Sequence, residues 1–371
     1  MKTKQLIFKL LILSLVFASC SDDDDNIIEP EETLEVVPDE IPESLGDFEN
    51  GILVSAEGNF QARDGSISFV NQSLTEEADN FIYLDVNGVQ PGGLIQSVAF
   101  SENEAYIILN DVNTILVTNR FTMERQAAIL EGLNNPRFMT IVGDTGYVTN
   151  WGDDIISGAD DYIAVVDLES LTITDTIVTN NVVEQIVNVG NSLYVTRTCF
   201  SGDNTISVID LGTNAVSEIT VFDNPEEIFV DASDNLILLC EGQATFNDDS
   251  EFVSNSNAAL VFIDTTSDTV TRSIEIPDNE RATLLSYNNN YIYYYESVSS
   301  TVYEIEASST TLPDIGIPVE NIRGMTVLDE ILYTVTFNFV DLSELIVYDF
   351  LGNEEIYRTD VGLGASKIYF N

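Results

Sequence analysis

One short stretch recurs along this chain and limits what it can fold into. Ile206-Ser207-Val208-Ile209-Asp210 reads as a strand with period-2 alternation, closed by a turn-forming acid. The same shape returns as Ile163-Ala164-Val165-Val166-Asp167, Leu260-Val261-Phe262-Ile263-Asp264 and Leu345-Ile346-Val347-Tyr348-Asp349. Fainter copies close at Asn71, Asn119 and Glu306. The closing positions 71, 119, 167, 210, 264, 306 and 349 are 48, 48, 43, 54, 42 and 43 residues apart. A period in the forties built only of strands predicts an all-β, seven-bladed β-propeller with four-stranded antiparallel blades. A β-sandwich is the alternative, but it gives no reason for one strand to return in phase across the chain.

The ends of the repeat array predict how the ring closes. Ala365-Ser366-Lys367-Ile368-Tyr369-Phe370 reads as a first strand with nothing behind it, and Gly51-Ile52-Leu53-Val54-Ser55 as a second strand with nothing before it. Pairing them completes one blade and removes both exposed edges.

The first residues read differently. Lys2, Lys4 and Lys9 flank a short apolar run, residues 10–17, that stops at Ala18-Ser19-Cys20. This is the pattern of a secretory signal, too short to span a bilayer. Cys20 sits where a bacterial lipobox places its lipidated cysteine. The acidic run Ser21-Asp22-Asp23-Asp24-Asp25 behind it resembles an export signal to the outer face of the outer membrane. The expected organisation is a signal peptide at 1–19, a lipidated acidic disordered tether at 20–48, and the propeller at 49–371. Membrane contact is then through the Cys20 lipid alone. With the signal removed, ten basic residues face 63 acidic ones, net −53. Such a surface repels nucleic acid.

Two groups of residues are candidates for binding. Aligning the starts of the innermost strands gives one position per blade near the axis: Gln96, Arg137, Glu184, Glu226, Arg281, Arg323 and Ser366. Arginine there can grip carboxylate, phosphate or amide oxygens, or can be neutralised by the neighbouring glutamates. Long loops after the second strands carry Trp151, the single tryptophan, and Phe246, with Phe60, Phe200 and Phe337 at similar places. Each ring is either a stacking platform or an anchor for its own loop. Asp153, Asp154, Asp160 and Asp161, or Asp248 and Asp249, offer oxygens to calcium, or form solvated acidic loops. No other cofactor is implied. The spacing leaves open a Cys199–Cys240 disulfide or two separately buried cysteines.

Catalytic signatures are sparse. With no histidine, His-based triads and proton shuttles are excluded. No Gly-rich nucleotide loop is present. Three arginines at the mouth suggest a sialidase-like clamp, yet the Ser-x-Asp-x-Gly-x-x-Trp box of that family is missing.

The start Gly51-Ile52-Leu53-Val54-Ser55-Ala56-Glu57-Gly58-Asn59-Phe60, the strand Gly65-Ser66-Ile67-Ser68 and the repeated Ile/Val-Asp closings together resemble YncE-like, seven-bladed surface lipoproteins of Bacteroidota. The resemblance covers residues 51–371, with the lipobox and its acidic follower at 20–25. It implies a non-enzymatic protein on the outside of the outer membrane. Such a protein captures an extracellular nutrient, a corrinoid among the candidates, for a TonB-dependent transporter. The alternatives are a carbohydrate-active propeller acting on a glycan through paired carboxylates, and an adhesion or protein-interaction scaffold.

Overall fold

A computed structural model of the chain describes residues 44–154, 156–179, 181–197, 203–246, 252–277, 281–336 and 338–371. Cys20, Cys199, Phe200, Asp248, Asp249 and Phe337 lie outside the described residues, as does the side chain of Phe246. The body, Ser44–Asn371, is a ring of seven antiparallel blades. In chain order their innermost strands are Ala365–Phe370, Ile95–Phe100, Pro136–Val142, Ile186–Val189, Pro225–Val230, Ala282–Asn288 and Ile322–Leu328. Blades two to seven each have four strands that step outward from the axis in sequence order.

The first blade is the one that closes the ring. Its innermost strand is the C-terminal Ala365–Phe370, which pairs antiparallel with Gly51–Ala56, which in turn pairs with Ser66–Asn71. Its fourth place is held by a single bridge between Phe69 and Asp79, followed by the short helix Ile82–Asn87. The fifth blade carries an extra two-stranded hairpin, Ala244–Phe246 with Phe252–Asn255, between its second and third strands.

Burial follows position in the blade. Second strands are buried on both faces, as in Leu236–Cys240, whose five residues are all buried. Outermost strands such as Thr172–Val178 are mostly exposed. The buried apolar residues form seven clusters, and each cluster lies between two neighbouring blades. One joins Ile52 and Val54 of the first blade to Val335 and Leu345 of the seventh. The tyrosines of the second strands take part: Tyr106, Tyr194, Tyr293 and Tyr333 are buried and Tyr147 half-buried. The Tyr194 hydroxyl donates to Asp268 Oδ1 of the next blade at 2.7 Å.

The recurring acid is explained by the turn that follows the third strand. Asp167, Asp210, Asp264 and Asp349 each accept backbone N–H groups through Oδ1, from Ser170 (2.7 Å), Gly212 (3.1 Å), Thr266 (2.8 Å) and Gly352 (2.9 Å). Asn71 and Asn119 do the same for Ser73 and Phe121. These are Asx-type turns that fold the chain back into the outermost strand.

The body begins earlier than the expected boundary at 49. Phe48 is 7% exposed, its ring meets Phe69 edge-on at 5.4 Å, and its N–H donates to Phe121 O at 2.9 Å. An aromatic that completes the first interblade cluster belongs to the core, so residues 44–48 are not tether.

The two faces of the ring are distinct. At one end of the closing strand, Glu57 N and Gly58 N donate to Gly364 O and Leu363 O. At the other, Asn371 exchanges backbone hydrogen bonds with Gly51 and donates through Nδ2 to Phe48 O and Arg120 O. A six-residue strand separates these ends by about 20 Å. The chain therefore enters the body on the face opposite the starts of the innermost strands.

Removing residues 365–371 deletes a blade's axial strand and exposes the clusters on either side. We expect that truncation to lose most of the net stability, about 5–15 kcal/mol for a domain. Urea unfolding checks this, and a transition matching that of the intact chain would show that closure does not hold the ring together.

Candidate functional site

A bulge in six of the seven innermost strands builds the site. Where these strands start, the pairing register slips: Pro225 and Glu227 face Cys240 and Leu239, so Glu226 falls at the step in register. The same bulge sets aside Gln96, Arg137 with Phe138, Thr283, Arg323 and Ser366. A bulge bends its strand and re-aims a side chain. In the fourth blade, Glu184 lies just ahead of the strand, its N–H donating to Thr196 O at 2.9 Å. All these residues line one cavity of about 710 Å³ at the face where the innermost strands begin. The close approach of the last two axial strands there needs a glycine, because a Cβ on Gly324 would stand 2.1 Å from Ser366 O.

The structure brings the seven expected positions to this cavity, with one correction of register. In the sixth blade the bulge residue is Thr283, and Arg281 reaches the cavity from the preceding loop with its side chain 58% exposed. Aligning Arg281 with the others was two residues early, since a bulge is a backbone feature that residue type does not mark.

The arginines are already engaged. Arg137 donates through Nε and Nη2 to Glu184 at 3.0 and 2.7 Å, and through Nη1 to Gln96 Oε1 at 2.6 Å. Its guanidinium lies 3.9 Å from the ring centre of Trp151, whose Nε1–H donates to Val183 O at 2.6 Å. Trp151 thus supports Arg137 from behind and is absent from the cavity lining. Arg323 donates to Glu57 Oε1 at 2.7 Å and stands 5.1 Å from the Phe339 ring. Arg281 pairs with Glu241 at 3.3 Å. Burial pushes the Glu241 carboxyl up to about 7, with Arg281 pulling it back and Glu227 adding to the rise.

Lys367, which the alignment passed over, sits deepest. It is the only lysine beyond Lys9, which was the available signal. It follows the Ser366 bulge, and its Nζ lies 3.6 Å from Glu227 Oε1 and 5.4 Å from the Phe138 ring centre. Glu227 also accepts from Gln185 Nε2 at 2.7 Å. Burial pulls the ammonium down, but the charges of Glu227, Tyr369, Glu226 and Glu184 outweigh it, so its pKa ends above the ordinary value. Beyond Lys367 the channel narrows into a second space of about 210 Å³ lined by Met139, Phe229, Met325 and Tyr369.

The four loop aspartates do not converge. Asp160 accepts from the N–H groups of Asp153 and Asp154, with Gly152 leaving the room its carboxylate fills. Asp154 accepts from Ser157, and Asp153 from Asn134 Nδ2. Among the described residues no group of three acidic or thiol side chains is placed to hold a metal. Phe60 is exposed on the loop after Ala56 and does not line the cavity. Cys240 is a buried free thiol, pushed up to about 12 by its apolar surroundings.

Asp161 ties the Trp151 loop to the ring. It is 1% exposed, Oδ2 accepts from Val183 N at 3.1 Å, and Oδ1 has no hydrogen-bond partner. Burial first, then Asp160, Asp154 and Glu184, raise its pKa to about 7, against the Val183 N–H that lowers it. A carboxyl whose pKa is raised on folding favours the folded state at low pH. That contribution is complete below the ordinary value near 3.8 and is lost as pH rises through about 7. Asp161→Asn should therefore melt higher than the wild type at pH 8, with the difference vanishing towards pH 4. Parallel melting curves across that range check this, and a difference that grows towards acid would reverse the assignment.

Solved structures share the architecture. Hydrazine synthase of Kuenenia stuttgartiensis matches with a TM-score of 0.61 at 16% identity, covering 74% of this chain and 92% of that one. The dihydro-heme d1 dehydrogenase NirN in complex with DHE matches with 0.54 at 11%, covering 87% and 76%. Apo AztD from Citrobacter koseri matches with 0.51 at 12%, covering 86% and 96%. At these identities the likeness concerns the fold alone. No curated protein matches the chain in sequence. A family model does match, over residues 50–245, more than half of the chain. By that match the chain belongs to the DUF5074 family, described as a domain of unknown function.

Proposed function

We propose that this protein is a non-enzymatic capture protein that holds an extracellular ligand in its axial cavity. The observation that carries the reading is the cavity itself, built by side chains re-aimed at the bulges of six blades. Its volume of about 710 Å³ is in the range of small-molecule sites. The cavity opens on the face away from the point where residues 44–50 join the body. We infer a protein tethered through a lipid on Cys20 at the outer face of the outer membrane. The YncE-like resemblance and the acidic run after Cys20 support that location, and a TonB-dependent transporter is the partner such a role calls for.

A corrinoid is larger than the cavity and would rest across its mouth over the Arg281 and Arg323 side chains, with one peripheral amide arm entering towards Lys367. The rival glycan-cleaving reading needs one carboxyl held protonated beside one ionised. Glu241, whose pKa is raised, contacts Arg281 and is absent from the cavity lining. The capture reading therefore has the better support.

Calorimetric titration of the full chain with cyanocobalamin tests it. Binding that Arg323→Ala weakens about tenfold, with Trp151→Ala acting through the displaced Arg137, supports capture of a corrinoid at this mouth. Turnover of a glycan that disappears in Glu226→Gln would replace capture with catalysis.

A further inference from the structure

The charges that line the cavity are matched within the protein. Arg137 has Glu184, Arg323 has Glu57, Arg281 has Glu241 and Lys367 has Glu227. Glu226 is a further carboxylate in the lining. Four cations thus meet four carboxylates in the lining, Glu57, Glu184, Glu226 and Glu227, with Glu241 outside it behind Arg281, inside a chain of net charge −50. An anion entering this space meets no uncompensated positive charge. To reach one it must displace a glutamate from its pair, leaving that carboxylate partly buried without a counter-charge. A cation meets the ammonium of Lys367 at the floor.

Hydrogen-bonding capacity, unlike charge, is left open at two neighbouring residues. Lys367 Nζ has Glu227 at 3.6 Å as its only polar contact among the described residues, beyond hydrogen-bond reach, so its donors turn to the cavity. Its side chain is 28% exposed and lines both the cavity and the narrower space beyond it. Ser366 Oγ beside it is buried, in a residue 5% exposed, and makes no hydrogen bond. A buried hydroxyl without a partner is costly unless something arrives to fill the position. Both residues sit on the closing strand, at and just after its bulge.

We propose that the axial cavity selects an uncharged, oxygen-rich ligand, a polyol or a polyamide, whose oxygens meet Lys367 Nζ and Ser366 Oγ, and that it turns anions away. This rests on the capture reading and deepens it by naming the ligand class. Glu227 is the residue that sets the selectivity, because it cancels the Lys367 charge while leaving the ammonium donors unused.

Calorimetry on the full chain tests the inference with four probes. Galactobiose is the uncharged polyol and cyanocobalamin the polyamide of zero net charge, digalacturonate is the anionic counterpart of the first, and inorganic phosphate is a compact anion. The wild type should bind at least one uncharged probe, and digalacturonate and phosphate about tenfold more weakly or worse. Lys367→Met should weaken the uncharged probe about tenfold, and Ser366→Ala should weaken it less, with melting curves confirming that both variants fold. Glu227→Gln should gain affinity for digalacturonate. Wild-type binding of either anion as tight as that of the uncharged probes overturns the inference while capture survives. So does binding of an uncharged probe that ignores both Lys367→Met and Ser366→Ala. Failure of both uncharged probes overturns the ligand class, whereas hydrolysis of galactobiose would sink capture itself.

Discussion

The antiparallel pairing of Ala365–Phe370 with Gly51–Ala56 is the contact on which the rest of this molecule depends. No blade here has a core of its own. Each of the seven apolar clusters is shared between two neighbours, so a blade is buried only when both flanks are occupied. In an open array the first and last blades would each keep one bare face and one unpaired strand edge. The terminal pairing covers both at once. It joins chain segments some 310 residues apart, a loop whose closure entropy is recovered only when the whole ring forms.

The same strand that closes the ring also floors the site. Its bulge sets Ser366 into the cavity, and the next residue, Lys367, places the only ammonium beyond the first residues at the narrow point of the channel. Stability and binding are therefore not separable along this strand. Elsewhere the ring positions hold varied residues, from Gln96 to Thr283 to Glu226, on a common backbone device. A scaffold of this kind can change its ligand by changing bulge residues while the interblade clusters stay as they are.

Much of this was legible because the signals are local. The Ile/Val-Asp closings announce themselves in sequence, since an Asx turn needs only one side chain and the next few N–H groups. The ring of axial residues could be read because a polar residue follows an apolar or proline residue at the start of most innermost strands. The reading slipped at Arg281, where the loop supplies a charged residue two places before the true bulge at Thr283. In sequence Trp151 reads equally as a stacking platform or as an anchor, because an isolated tryptophan in a polar loop shows no partner. Its real partner, Arg137, is fourteen residues away on the innermost strand of the same blade, and stacking across a sheet leaves no trace in local sequence. Phe48 hid in an acidic, proline-rich context, and only the docked partner Phe69 reveals it as core.

Charge explains why the arginines read differently in sequence and in three dimensions. In a chain with 63 acidic residues, three arginines near the axis suggest an anion clamp. Yet the closure that draws them together also draws in glutamates from adjacent blades: Glu184 of the fourth blade to Arg137 of the third, Glu57 of the first to Arg323 of the seventh. These pairs cross blade boundaries at the mouth, where their geometry reports that neighbouring blades are in register. Their contribution to folding is small if solvent-exposed and costly to break once buried. Arg137 and Glu184, with side chains 13% and 6% exposed, belong to the second kind. The mouth arginines thus lock blade to blade first. What remains for a ligand is the hydrogen-bonding capacity left over after every charge has been answered, and that remainder is concentrated on the strand that closes the ring.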